Sequence, residues 1–198
     1  MQEQWNKRYS ETNYLYGKEP NLFLKEQIEK LNPGKLLLLG EGDGRNSVFA
    51  AKLGWRVDAF DFSQSAKEKA LKYAEKENVS INYYVQDLET AELKENNYDA
   101  VGIIFLHLPE DLREIVHHKA LKSLKPNGVV IIEVFEKEQL KYGSGGPKDI
   151  DMLYSLEDIY TDFSELNVQK FTKERIILKE GPLHSGPAAV IRFLAQKS

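Results

Sequence analysis

The sequence contains no cysteine, which excludes disulfides, thiol nucleophiles and cysteine-based metal sites. Long apolar runs are also missing. Leu36 to Leu39, Val101 to Leu106 and Val129 to Ile132 are the longest, far short of the roughly 20 residues that cross a bilayer. The start, from Met1 to Arg8, has no apolar core of a secretion signal, so a cytoplasmic location is expected. Nor is there a basic stripe of the kind that drives phosphate binding. Acids and bases are mixed, the net charge is −4, and the lysines between Lys67 and Lys76 alternate with Glu68 and Glu75, the pattern of a solvated helix face. Nucleic-acid and membrane partners are therefore not expected, and a small-molecule ligand is. Internal repeats, low-complexity tracts and linkers are absent too.

What is present is an ordinary globular composition, 41% hydrophobic and 29% charged over 198 residues, enough for one domain with a sizeable core. Within it, strand and helix signals alternate. Lys35 to Leu39 is an uninterrupted apolar run, as in a parallel strand buried on both faces. A short helix follows over 46–53, ended by Gly54, then a strand over 56–60. Ser65 and Glu68 have capping-box spacing for a helix to about Asn78. Strands are expected over 81–85, 99–105 and 129–135, with a helix over 110–124 between the last two, stopped by Pro126-Asn127-Gly128. After the glycine-rich stretch 142–147 and a helix from near Ser155, two β-like runs, 168–178 and 188–194, are joined by a loop too short for a crossover helix. They are expected to pair antiparallel. The fold class is thus α/β: a Rossmann-like, doubly wound, seven-stranded sheet, mostly parallel, closed by an antiparallel C-terminal hairpin. The single domain divides into an N-terminal segment (1–32), a ligand-binding core (33–135) and a closing part (136–198). In the first of these, the aromatic-rich stretch from Trp5 to Asn21 precedes a helix over 22–31 and reads either as a cover for a sheet edge or as a lid.

The sharpest motif is Gly40-Glu41-Gly42-Asp43-Gly44-Arg45-Asn46, directly after the first strand. Doubly wound sheets bind ligands at such strand ends. Gly40 suits the tight turn, Gly42 lets the backbone approach a ligand, and Gly44 lets the helix start pack against the strand. A dinucleotide fingerprint needs a small residue where Arg45 stands, and Glu41 beside the loop repels pyrophosphate. The charge suits a cofactor bearing a sulfonium and an ammonium, S-adenosylmethionine. Asp61, closing the second strand before Phe62 and Ser63, is placed to accept from both ribose hydroxyls, or else to cap the next helix. Asp87, after the third strand, is placed to accept from an adenine amino group, with Leu88 and Phe62 as flat apolar contacts.

Together with Leu124-Lys125-Pro126-Asn127-Gly128-Val129, these residues resemble class I S-adenosylmethionine-dependent methyltransferases over nearly the whole chain. The Gly-Arg-Asn opening and the segment from Trp5 to Asn21 look most like the tellurite-resistance branch and its bacterial relatives. The resemblance implies that Gly40 to Gly44 surround the methionine part, Asp61 holds the ribose and Asp87 reaches adenine, with S-adenosylhomocysteine as product. The family's usual acid near the end of the first strand is Leu38 here, and Glu41, facing the loop, is the candidate substitute.

Methyl transfer needs alignment and exclusion of water more than a nucleophile. The acceptor, a small molecule or a metalloid ion, is expected above Phe105 and His107. His107 is the candidate general base, its alternative role being a backbone bond or helix cap. His184, at the hairpin tip with Arg175 on an adjoining strand, reads as substrate-facing or as a surface turn. Tyr9, Tyr14 and Tyr16 are candidates to close over the sulfonium, with the loop around Gly145 as part of a lid. His117 and His118 point about 100° apart on a helix, so no metal site is expected. Two other classes remain: a nicotinamide-dependent reductase and a non-catalytic cofactor-binding module. A monomer or small homo-oligomer is expected.

Overall fold

A computed structural model describes residues 2–11 and 14–198. Met1, Thr12 and Asn13, which the N-terminal readings include, lie outside the described residues. Seven strands form one sheet: β1 (Lys35–Leu39), β2 (Arg56–Asp61), β3 (Asn82–Val85), β4 (Tyr98–Ile104), β5 (Leu124–Phe135), β6 (Asn167–Lys179) and β7 (Ser185–Gln196). Their order is β3-β2-β1-β4-β5-β7-β6. The first five are parallel, and β7 runs antiparallel to both β5 and β6. Strand order reverses between β1 and β4, the place where such sheets open a crevice at their carboxyl ends.

Because side chains alternate across a strand, the apolar run of β1 feeds two cores. Leu37 and Leu39 join Val101, Ile103, Val130 and Ile132 on one face. Leu36 and Leu38 join Ala100, Val129 and Ile131 on the other. The first face is covered by helices α5 (Glu110–Ser123) and α6 (Leu156–Phe163), the second by α2 (Leu22–Ile28) and α3 (Arg45–Lys52). Helix α4 (Gln64–Lys76) lies over β2 and β3 through Ala70, and α1 (Gln2–Glu11) packs on α4.

Several boundaries differ from the sequence reading, each for a local reason. Helix α4 is capped by Ser63, whose Oγ accepts from the Ala66 N–H at 3.2 Å; Glu68 instead accepts from Gln64 on the exposed face. Helix α2 ends at Ile28, after which the chain tightens to i→i+3 bonds, Lys30 N–H to the Gln27 carbonyl and Leu31 N–H to the Ile28 carbonyl. Strand β5 starts at Leu124, paired with Tyr98, and the chain turns within it at Asn127, where φ is 64°. His117 is buried on α5, its Nδ1 2.6 Å from Asp162, whereas His118 faces solvent.

At the start of α3, Gly44 has φ 91°, and a Cβ there would meet the Ala70 Cα at 2.8 Å. The glycine lets α3 and α4 touch directly behind the β1 loop.

Candidate functional site

The β1–α3 loop is built on the end of β2. Both Gly40 and Glu41 donate their N–H to the Phe60 carbonyl, at 2.8 and 3.1 Å. Gly42 is held from two sides. Its N–H donates to Asp61 Oδ2 at 3.1 Å, and its carbonyl accepts from the Tyr83 hydroxyl at 2.6 Å. The second Asp61 oxygen accepts from the Ser63 N–H at 2.9 Å. Burial raises the Asp61 pKa, while these backbone bonds hold it down. One strand further, Asp61 is in register with Val85, and Gln86 donates to the Asp61 carbonyl. Asp87 follows, exposed, its Oδ1 accepting from the Glu89 N–H at 2.9 Å. Leu88 packs half-buried on the main core, and Phe62 is half-buried beside Asp61. Gly42, Asp61 and Asp87 thus stand on three adjacent strand ends.

Other residues in this stretch have partners inside the protein. Glu41 turns back onto α3: Oε1 accepts from the Ser47 N–H at 2.6 Å and Oε2 from Asn46 Nδ2 at 3.3 Å. Burial raises its pKa to about 7 against those bonds. It therefore does not face the loop as expected. Arg45 donates to the Tyr16 carbonyl at 3.2 Å and pairs with Glu180 at 3.0 Å. Asn46 also accepts from the Asn21 N–H. The Ser63 hydroxyl caps α4 and donates to Asn6 of α1 at 2.8 Å. The carboxylate left over is Asp43. It is 2% exposed, and its Oδ2 has no hydrogen-bond partner among the described residues. Burial, opposed by Arg45 and Lys69, raises its pKa to about 6.

Helix α1 lies over this loop. A Cβ on Gly42, where φ is 68°, would come within 2.4 Å of the Tyr9 hydroxyl, so only glycine fits beneath that buried ring. Trp5 stacks on Tyr9. Tyr14 packs edge-on against Tyr73 of α4, where burial first and then the Asp43 charge raise its pKa.

At the end of β4 the backbone of Phe105 is left-handed, φ 51°, an uncommon state for a bulky residue. Its ring stacks on Phe135 at 4.5 Å. His107 does not present a free nitrogen: Nδ1–H donates to the Met152 carbonyl at 2.9 Å, and Nε2 accepts from the Phe135 N–H at 3.3 Å. Burial lowers its pKa to about 4, so it is a neutral strut between backbone segments. His184 is the opposite case. Expected either at a surface turn or facing substrate, it is 5% exposed and boxed by Tyr16 (4.6 Å), Phe105 (4.7 Å) and Phe135 (5.4 Å). Its Nδ1 lies 3.3 Å from Glu180 Oε2. A Cβ on Gly145 would be 3.1 Å from its Nε2. Burial disfavours charging both groups. The hydrogen bond from His184 and then the Arg45 charge nevertheless hold the Glu180 pKa below its usual value, while burial lowers that of His184. Arg175 stands apart, exposed and paired with Glu138.

Sequence reasoning missed the frame behind His184. Asn21 donates to Glu133 at 2.7 Å and Glu180 at 3.0 Å while capping α2. Glu133, 1% exposed, pairs with Arg192 at 2.5 Å directly across β5 and β7. One signal was available: a lone acid in an otherwise apolar strand buried on both faces needs a cation opposite.

Residues 36–128 match the family described as a methyltransferase domain. The chain is 34% identical over 80 residues to the probable S-adenosyl-L-methionine-dependent methyltransferase TehB of Haemophilus influenzae, covering 39% of this chain and 28% of that protein. It is 32% identical over 113 residues to a ubiquinone biosynthesis O-methyltransferase of Rickettsia akari, covering 56% and 44% respectively. The chain thus spans less than half of these relatives. Among solved structures, H. influenzae TehB superposes with a TM-score of 0.76 at 19% identity, over 100% of this chain and 67% of that one. A structure solved for the conversion of a disulfide into a thioacetal in echinomycin biosynthesis gives 0.80 at 15% identity, over 100% and 92%. At these identities the two superpositions speak to fold. Among the described residues no helix is long and apolar enough to cross a membrane.

Proposed function

We propose that this chain, whose residues 36–128 match the methyltransferase domain family, moves a methyl group from S-adenosylmethionine to a small-molecule acceptor. The observation that carries the reading is the buried, unpartnered Oδ2 of Asp43 inside the glycine loop. A buried carboxylate oxygen without a donor is costly, and a cationic ligand above Gly42 relieves it. Glu41, fully bonded to α3, cannot play that part, so Asp43 takes over from the acid that Leu38 displaces. Asp61 would hold the ribose, and Asp87 the adenine amino group.

The cofactor supplies an electrophilic methyl on a positive sulfur. The protein's own work is on the acceptor side. Tyr16, Phe105 and Phe135 exclude water around His184. Glu180 holds the His184 proton on Nδ1, which leaves the Nε2 lone pair to take a proton from a protic acceptor. His184→Gln is expected to lower kcat about 100-fold with the cofactor Kd unchanged. Turnover equal to wild type in a coupled S-adenosylhomocysteine assay, across small thiols, amines, phenols and oxyanions of selenium and tellurium, rules the base role out.

The cofactor assignment is tested by pH. Arg45 of α3, Lys69 of α4 and Asp61 of β2 act on Asp43, whose pKa sits at about 6 without ligand. A cation binds the ionised carboxylate, so protons compete with it. S-adenosylmethionine affinity is expected to rise about tenfold between roughly pH 5 and pH 7, then level off. In Asp43→Asn the titration curve through this window flattens. A wild-type profile that Asp43→Asn leaves unchanged refutes the assignment.

A further inference from the structure

The turn that carries Asp87 is fastened from outside. Residues 87–91 form one helical turn: the Asp87 carbonyl accepts from the N–H groups of Thr90 at 3.2 Å and Ala91 at 2.8 Å. Such a turn leaves its later carbonyls without helical partners. Three of them, Leu88 at 3.2 Å, Glu89 at 2.6 Å and Ala91 at 3.0 Å, converge on one ammonium, Lys119 Nζ of α5. An ammonium has three donors and no acceptor, so this contact fills its capacity. The lysine stem rises from a helix whose neighbouring Val116 and Ala120 are buried in the same cluster as Ala91. The turn is therefore fixed to the core through both its apolar side and its carbonyls. A hollow lined by Gln86, Asp87, Thr90 and Ala91 opens beside it.

We propose that Lys119 is a positioning residue for the adenine end of the cleft, setting the direction of the Asp87 carboxylate by clamping the carbonyls of its turn. The proposal rests on the cofactor reading above. Among the described residues, Lys119 is the α5 side chain that bonds to these carbonyls. Without the clamp the turn has to satisfy three carbonyls from water, and the carboxylate that reads the exocyclic amino group loses its fixed aim. The consequence is selective: discrimination between adenine and a base without that amino group falls, while the methionine and ribose ends are untouched.

Calorimetric titration of the full chain with S-adenosylhomocysteine and with S-inosylhomocysteine, which lacks the amino group, reads this directly. Wild type is expected to prefer the adenine nucleoside by about tenfold or more, the worth of one hydrogen bond to a carboxylate. Lys119→Met is expected to weaken S-adenosylhomocysteine about tenfold and to bring the two ligands within about twofold of each other. Lys119→Arg serves if the methionine variant does not fold. It keeps the charge, but its planar fork fits at most two of the three carbonyls, and an intermediate preference is expected. Lys125→Met is the control, since Lys125 pairs with Asp99 near the opposite end of β4. A full wild-type preference in a folded Lys119 variant overturns the proposal alone. Absence of binding by wild type overturns the cofactor reading beneath it.

Discussion

Asp61→Ala is expected to weaken S-adenosylmethionine about a thousandfold, because a carboxylate that serves both the loop and the ligand carries several charge-assisted bonds worth about 1.5–3 kcal/mol each. Its two oxygens accept from the Gly42 and Ser63 N–H groups, so the side chain already fixes the shape of the glycine loop. The same oxygens have further lone pairs to offer two ribose hydroxyls. Removing them leaves the Gly42 N–H without its acceptor and frees the loop under Tyr9. Asp61→Asn separates the two effects. The amide oxygen still accepts from the Gly42 N–H while its NH2 faces the Ser63 N–H, so the loop is held by one bond instead of two, the charge is gone, and a weaker but measurable Kd is expected. Calorimetry on both variants, with denaturation to confirm folding, checks this. An Asp61→Ala protein that binds as tightly as wild type contradicts it.

Arg192→Met is expected to destabilise the fold by about 3–5 kcal/mol, the usual consequence of stranding one member of a buried ion pair. Glu133 is 1% exposed and sits on the same sheet face as α2. Burial raises its pKa, and the Arg192 charge and the bonds from Asn21 and Arg192 pull against that rise. Deleting Arg192 leaves Asn21 as its remaining donor, and that amide is shared with Glu180. The sign with pH follows. In the variant, a lone buried Glu133 has a higher pKa than in the unfolded chain, so the deficit shrinks as pH falls and the carboxyl protonates. For a chain of this size each kcal/mol moves Tm by about 2–4 °C, so a drop of about 6–20 °C at neutral pH is expected, smaller at low pH. Glu133→Gln with Arg192→Met together recover part of the loss. Thermal melts of wild type and the two variants decide it; an Arg192→Met melt at the wild-type temperature sinks the argument.

These two sites differ in how far the sequence revealed them. The strand ends were legible because their cause is local. Four apolar residues in β1, then glycines, then a helix, place Gly42 whatever surrounds it. The same logic placed Asp61 and Asp87 one and two strands over. Helix starts were read less well: Ser63 rather than Ser65 caps α4, since the end of β2 leaves Ser63 extended and free to turn its hydroxyl onto Ala66. The side chains just past Gly44 were misread for a different reason. Arg45 and Asn46 look outward from a ligand loop in sequence, but their partners, Tyr16, Asn21 and Glu180, come from distant segments that local pattern does not join. Glu41 followed them inward. That inward turn singled out Asp43, whose burial no local pattern reveals. Packing alone decides where the two histidines sit. Strand order put His107 where Met152 and Phe135 take both its nitrogens, while the hairpin folded His184 back under Tyr16 and Gly145.

The seven-stranded closure also bears on the reductase alternative. A dinucleotide needs its pyrophosphate at the start of α3, where Glu41 already takes the Ser47 N–H and Asp43 is buried in the loop. Two carboxylates there repel phosphate and attract a cation.

The wild-type arm of the titration is the most direct test of that electrostatic choice. Stepwise addition of S-adenosylmethionine and, separately, of NADH to the intact chain at about pH 7.5, above the Asp43 pKa, is expected to give saturable heat at one site per chain with the first and none with the second. Saturable heat with NADH and none with S-adenosylmethionine would mean that Gly42, Asp61 and Asp87 do not form the cleft described above.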